Sequence, residues 1–171
     1  LGLQGVALGA GRPRALAPLV AGHQVALDAA VDAARALIAS ARRPVALVSS
    51  WASNEELAAF ERLLSSRFAC RVKTDWLPLP GERIEDDVLI KADKNPNRAA
   101  AIARFPGEAL ERPEAFPAGC DLVLVWGEGC RADALPPGAR VVRLDAWLHP
   151  DNARADVFLP ISVQTERSGH Y

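Results

Sequence analysis

Residues 44–64 read PVALVSSWASNEELAAFERLL: an apolar run, a short polar turn, then a helix-period pattern. Val45, Ala46, Leu47 and Val48 show no polar alternation, which suits a strand buried on both faces, as in a parallel sheet covered by helices. Ser49 and Ser50 end that strand. Ser53 with Glu56 three residues on forms a capping box, and Leu57, Phe60, Leu63 and Leu64 then recur at helical spacing along one face. The stretch is a strand-turn-helix unit. In open α/β sheets ligands bind at the carboxyl ends of strands, so residues 49–54 are where a site is expected.

Working outward, residues 120–126, CDLVLVW, make a second buried strand, residues 140–145, RVVRLD, a third, and residues 156–160, DVFLP, a fourth. Residues 70–73 suit a further short strand after the helix that ends near Arg67. Strands separated by crossovers of this kind predict an α/β fold, a Rossmann-like three-layer sandwich with a mostly parallel sheet. Three turns, at 49–53, 127–131 and 145–149, would then gather along one edge. Residues 23–41 predict a helix with Leu27, Val31, Ala34, Leu37 and Ile38 on one face, stopped by Arg42, Arg43 and Pro44. Asn95 as N-cap with Pro96 at the first helical position predicts a short helix over 97–105. Lys91, Lys94 and Arg98 place positive charge at that helix start, a candidate anion site, although a capped surface helix needs no ligand.

Residues 1–22 are rich in Gly, Ala, Pro and Leu. Their LGLQGVALGAG lacks the preceding strand and following helix that a dinucleotide fingerprint requires, because Arg12 and Pro13 come next. An extended arm packed across a neighbouring domain fits better, leaving 23–171 as a single domain. Residues 74–87 form a long irregular stretch made acidic by Asp75, Glu82, Glu85, Asp86 and Asp87, a solvated charge run without the ordered spacing of a calcium loop.

A chain of 171 residues can bury roughly 70% of the surface its unfolded form exposes. Lys plus Arg number 20 against 21 Asp plus Glu, a net charge of −1, which gives no drive toward nucleic acid or an anionic membrane. The sequence holds no methionine and starts at Leu1, so it reads as an excised piece of a longer polypeptide. Cys70, Cys120 and Cys130 stand at wide spacing with no CxxC pair, which argues against a disulfide framework, a zinc site or a cluster and for reduced, partly buried thiols. No apolar run approaches the roughly 20 residues of a transmembrane helix, and no signal peptide is legible.

The stretch 144–171, LDAWLHPDNARADVFLPISVQTERSGHY, resembles a segment of the molybdopterin oxidoreductases in which a strand, a connection ending in Ala155-Asp156, an apolar strand ending in Leu159-Pro160 and a Glu-x-x-Gly turn at Glu166 to Gly169 follow one another. CDLVLVWGEG is similar to the strand and glycine turn that precede that segment in the family. Residues 85–97, EDDVLIKADKNPN, resemble the corresponding stretch of the large iron-sulfur subunit of bacterial NADH-quinone oxidoreductase, respiratory complex I, through Asp86, Asp87, Leu89, Ala92, Asp93, Lys94, Asn95, Pro96 and Asn97. The resemblance implies a noncatalytic scaffold domain with no cofactor of its own. Iron-sulfur clusters would lie in the N-terminal part of the parent, and the partners would be other domains of the same subunit and other subunits of the complex. It implies a cytoplasmic location, on the cytoplasmic face of the inner membrane, without insertion into it.

The cofactor-binding candidates under this resemblance are Ser50 and Trp51 in the first turn, Gly127 and Gly129 in the second, and Asp145 at the end of the third strand. They are expected as a vestige: a bulky Trp51 argues for a filled pocket, and Gly129-Cys130 stand where the family often has Asn-Pro. No catalytic or metal-ligating residue is expected. Asp145 either reads a ribose or base edge or caps the turn after it. A competing hypothesis is the nucleotide-half cofactor domain of a true molybdopterin oxidoreductase such as a formate dehydrogenase. A free-standing nucleotide-binding domain ranks behind both, since no complete glycine fingerprint follows any strand.

Overall fold

A computed structural model describes residues 13–64, 68–72, 95–105, 116–127, 130–163 and 166–170. The acidic stretch at 74–87, Lys91, Lys94, Gly129 and most of the N-terminal glycine-rich run lie outside the described residues. The elements in chain order are β1 (Leu19–Val20), β2 (His23–Gln24), α1 (Leu27–Ser40), β3 (Pro44–Val48), α2 (Asn54–Leu64), β4 (Ala69–Val72), α3 (Arg98–Arg104), β5 (Leu122–Trp126), β6 (Arg140–Asp145) and β7 (Val157–Pro160). Short 3-10 turns at Ala132–Ala134 and Pro150–Arg154 stand in the two crossovers from β5 to β6 and from β6 to β7.

The strands form one seven-stranded sheet in the order β2-β1-β7-β6-β5-β3-β4. The five strands from β7 to β4 are mutually parallel, and β1 and β2 add an antiparallel hairpin at the β7 edge. The protein is therefore α/β with a mostly parallel sheet, as the unalternating apolar runs predict. β3 and β5 are wholly buried because every residue in them faces a packed layer. From β3 the chain moves outward to β4, then returns past β3 to β5, so the direction of progression reverses between β3 and β5.

One face packs Ala46, Val48, Leu122, Leu124 and Val142 against the buried residues of α1, α2 and α3. The opposite face sets Val45, Leu47, Val123, Val125 and Val141 under Cys120, Cys130, Leu135 and Ala139. Among the described residues all three helices lie on the first face, and the second is covered by extended segments and 3-10 turns. A crossover too short for a helix covers its face this way.

Several elements differ from the sequence expectation for identifiable reasons. α1 begins at Leu27 rather than 23, because His23 and Gln24 pair with β1. Its buried stripe is Ala30 and Ala34 with Leu37 and Ile38 beside them, whereas Leu27 is 57% exposed and Val31 36%. The small alanines let the helix approach the sheet closely and turn the two larger residues outward. On α2 Leu57, Phe60 and Leu64 are buried, but Leu63 is 53% exposed.

The β1-β2 hairpin leaves no trace in the apolar pattern, being two residues a side. Its turn has positive φ at both central residues, 48° at Ala21 and 80° at Gly22, the geometry of a type I′ turn. Ala21 bears the steric penalty of the left-handed region. Ala21→Asn is expected to raise stability by about 1 kcal/mol in urea unfolding.

Candidate functional site

The carboxyl ends of β3 and β5 flank the reversal point, where an α/β sheet ordinarily opens a crevice for a ligand. Residues 49–53 follow β3 there, and the structure fills their surroundings. Ser50 is fully buried. Its hydroxyl donates to Asn95 Oδ1 at 3.0 Å, and its carbonyl accepts the Asn97 N–H at 3.0 Å. The Asn97 side-chain amide donates to the Ala52 carbonyl at 2.8 Å and to Asn54 Oδ1 at 3.2 Å.

These contacts correct the reading of the Asn95-Pro96-Asn97 segment. Asn95 does not cap a helix: α3 starts at Arg98, and Asn97 in the N-cap position makes no side-chain cap bond. Both amides instead clamp the turn after β3. Tertiary hydrogen bonds to buried groups outcompete a local cap, which water can replace.

The N-terminus of α2 carries the predicted capping box. Ser53 N–H donates to Glu56 Oε2 at 2.8 Å and Glu56 N–H to Ser53 Oγ at 3.2 Å. The segment after β7 then crosses to the same helix end. Asn54 N–H donates to the His170 carbonyl at 2.7 Å, and His170 N–H donates to Glu55 Oε2 at 3.0 Å. Arg167 pairs with Glu56 Oε1 at 2.6 Å and reaches the Trp51 carbonyl at 3.4 Å. Farther back, Glu166 accepts from Arg14 at 2.7 Å and from the Val163 N–H at 3.0 Å, while the Arg14 guanidinium lies 5.1 Å from the Trp147 ring centroid. Residues 161–163 and 166–170 thus belong to a strap from the β7 edge to the helix end beside the reversal point.

Electrostatics follow this geometry. The hydrogen bond from the His170 ring, reinforced by the His170 and Glu55 backbone N–H groups, holds Glu55 down at about 2. The Glu55 carboxylate in turn raises His170. In the sequence, residues 166–170 show only a Glu-x-x-Gly turn. Their role as a latch depends on partners more than a hundred positions away, which no local pattern encodes.

The predicted site residues are thus placed unevenly. Ser50 is sealed under Asn95, and Trp51 is half-buried, its carbonyl held by Arg167. Gly127 takes a positive φ of 78° and donates its N–H to the Leu144 carbonyl at 2.7 Å, so it ties β5 to β6 rather than lying open. Asp145 is 2% exposed; its Oδ1 accepts the Trp147 N–H at 3.1 Å, the turn-capping geometry that is one of its two readings.

All three cysteines are free. Burial pushes Cys70 up to about 11 and raises Cys120 as well. Cys70 is therefore expected to carry about a hundredfold less thiolate at neutral pH than an unperturbed thiol. Ellman's reagent should accordingly label the native chain far more slowly than the urea-unfolded one. Among the described residues no three His, Cys, Asp or Glu side chains gather as metal ligands would, and no helix is long and apolar enough to cross a membrane.

Comparison with protein-family models, curated proteins and solved structures gave no match.

Proposed function

We propose that the chain is a noncatalytic, Rossmann-like domain of the large iron-sulfur subunit of a bacterial NADH-quinone oxidoreductase. It is a scaffold in a molybdopterin-oxidoreductase-like fold that has given up its cofactor. The sequence resemblance at 85–97 and 144–171 supplies the family. One structural observation carries the noncatalytic reading: the α2 end beside the reversal point is taken up by the chain's own groups. Ser53 Oγ and the His170 carbonyl accept its N–H groups, and Asn95 and Asn97 clamp the preceding turn. A phosphate-bearing cofactor approaching there would have to displace them.

On this reading the domain holds no redox centre. Clusters reside in the parent's N-terminal part, and its partners are other domains and subunits of a complex on the cytoplasmic face of the inner membrane. The competing assignment, a nucleotide-half domain of a true molybdopterin enzyme, would use Asp145 to read a base edge. The Asp145 bond to the Trp147 N–H favours the scaffold instead.

The test is analytical. The purified chain is expected to contain no stoichiometric iron or molybdenum, to release no guanine nucleotide on denaturation and not to oxidise NADH. Tagged in its source bacterium, it is expected to co-purify with NADH-oxidising, quinone-reducing activity. Stoichiometric nucleotide or molybdenum after gentle purification would refute the scaffold reading.

A further inference from the structure

The end of the strap is held as a peptide ligand is held. Arg167 places Nη1 on Glu56 Oε1 at 2.6 Å and Nη2 at 3.4 Å from the Trp51 carbonyl. His170 pairs through its backbone in both directions: its carbonyl accepts the Asn54 N–H at 2.7 Å, and its N–H donates to Glu55 Oε2 at 3.0 Å. Its ring Nδ1 meets the other Glu55 oxygen. Between these anchors Gly169 lies so close to Ser53 that a Cβ there would stand 2.7 Å from Ser53 Oγ. Backbone pairing supplies affinity for a short segment, and side-chain anchors supply specificity. Here the anchors read an arginine, a glycine two residues on and a histidine next to it.

The seat is built without the strap. Glu56 is aimed by the capping box, with Oε2 on the Ser53 N–H while Oε1 takes Arg167. The preceding turn is fixed from the other side, by Asn95 on the Ser50 hydroxyl and Asn97 on the Ala52 carbonyl. The strap end, by contrast, buries little: Glu166, Ser168, Gly169 and His170 are exposed and Arg167 is half-buried. Its leaving uncovers charged and hydrogen-bonding groups, which water can satisfy. The charges also match, since the acidic pair Glu55 and Glu56 faces the basic Arg167 and His170.

We propose that this surface is a docking site for an Arg-x-Gly-His segment, filled in cis by residues 167–170 and in trans by the same segment of a second copy of the chain. The partner is a second copy because the segment seen to fit the seat is the chain's own. Exchange of an identical segment repeats existing contacts and is a low-cost route to a dimer. The cis segment is favoured by an effective concentration on the order of millimolar. Exchange therefore grows as the chain concentration approaches that range, or when the strap is loosened. The site is independent of the assignment of the parent complex, because every contact it uses lies within the chain.

The test uses the full 171-residue chain and a fluorescent, amide-ended peptide of residues 166–170. Gly169→Val in the chain vacates the seat, and Arg167→Ala serves in its place if that variant does not fold. Titration with the strap-loosened chain is expected to raise the anisotropy of the peptide saturably. The wild-type chain should bind it at least about tenfold more weakly, because its own strap competes. The same peptide carrying Gly169→Val should bind the vacated seat at least about tenfold more weakly, because its side chain meets Ser53. For exchange, the strap-loosened chain is mixed with a Glu55→Gln chain, which keeps its strap and has an impaired seat. Sedimentation should show a one-to-one complex that neither variant forms alone. The inference is overturned if the two peptides bind the vacated seat alike, if neither binds, or if the mixture sediments as the separate variants do.

Discussion

Phe60→Ala is expected to lower the stability of the chain by about 3–5 kcal/mol in urea unfolding, with the slope unchanged. Phe60 is 7% exposed on α2, and its ring centroid lies 4.3 Å from that of Trp126 at an interplanar angle of 39°. Trp126 is the last residue of β5 and is 5% exposed. The helix follows β3, so this contact ties α2 across the two strands that bound the reversal point. Truncation would remove the buried ring and leave a cavity under the helix, and both contributions act in the same direction. Leu63→Ala is the control, because Leu63 lies on the same helix but is 53% exposed. It should shift stability by less than about 0.5 kcal/mol. A loss below about 1 kcal/mol for Phe60→Ala would mean that α2 does not close this side of the sheet.

The contrast between Phe60 and Leu63 shows where the sequence can be read. Periodicity assigns residues to a helical face within about one position, and the apolar runs at 44–48 and 122–126 can be little other than strands buried on both sides. The capping box at Ser53 and Glu56 is legible because both of its bonds are local. α1 is harder: its heptad-like pattern points Leu27 and Val31 inward, yet alanines make the contact with the sheet. Helix and sheet can come closer over small residues, and hydropathy gives no weight to that distance.

The surroundings of the turn are less legible than the fold, for the same physical reason. Asn95 and Asn97 fit the local rule for starting a helix, but their partners are in the turn after β3, forty-odd positions back. Asp145 admits two readings, of which the local one has a hydrogen bond to show for it. Arg143 lies inside a strand whose burial the pattern predicts, and the cost of burying its charge becomes visible only once its neighbours are known. Each of these depends on contacts between elements, which spacing along a single chain does not contain.

Gly169→Val is expected to undock the strap and to lower stability by about 2 kcal/mol. A Cβ at Gly169 would stand 2.7 Å from Ser53 Oγ, closer still to Ser53 Cβ, and 3.1 Å from Glu55 Oε2. Ser53 cannot yield, since its side chain caps α2 and its N–H is held by Glu56. The strap must move instead, losing the bonds from Asn54 N–H to the His170 carbonyl and from His170 N–H to Glu55. The readout specific to undocking is titration. In the docked chain Glu55 stays near 2 and His170 is raised above its ordinary value; in the variant both should return toward 4.5 and 6.5. The signs set the pH window. Glu55, lowered in the folded chain, favours docking above about 4.5, and that contribution is lost as pH falls through about 2. His170, raised in the folded chain, favours docking below about 6.5 and loses its contribution as pH rises through the raised value. Docking should therefore be tightest between pH 4.5 and 6.5 and weaken with added salt, because both groups are exposed. An unchanged His170 titration in Gly169→Val would show that the strap accommodates the side chain, and that the close approach of Gly169 to Ser53 is not what holds it.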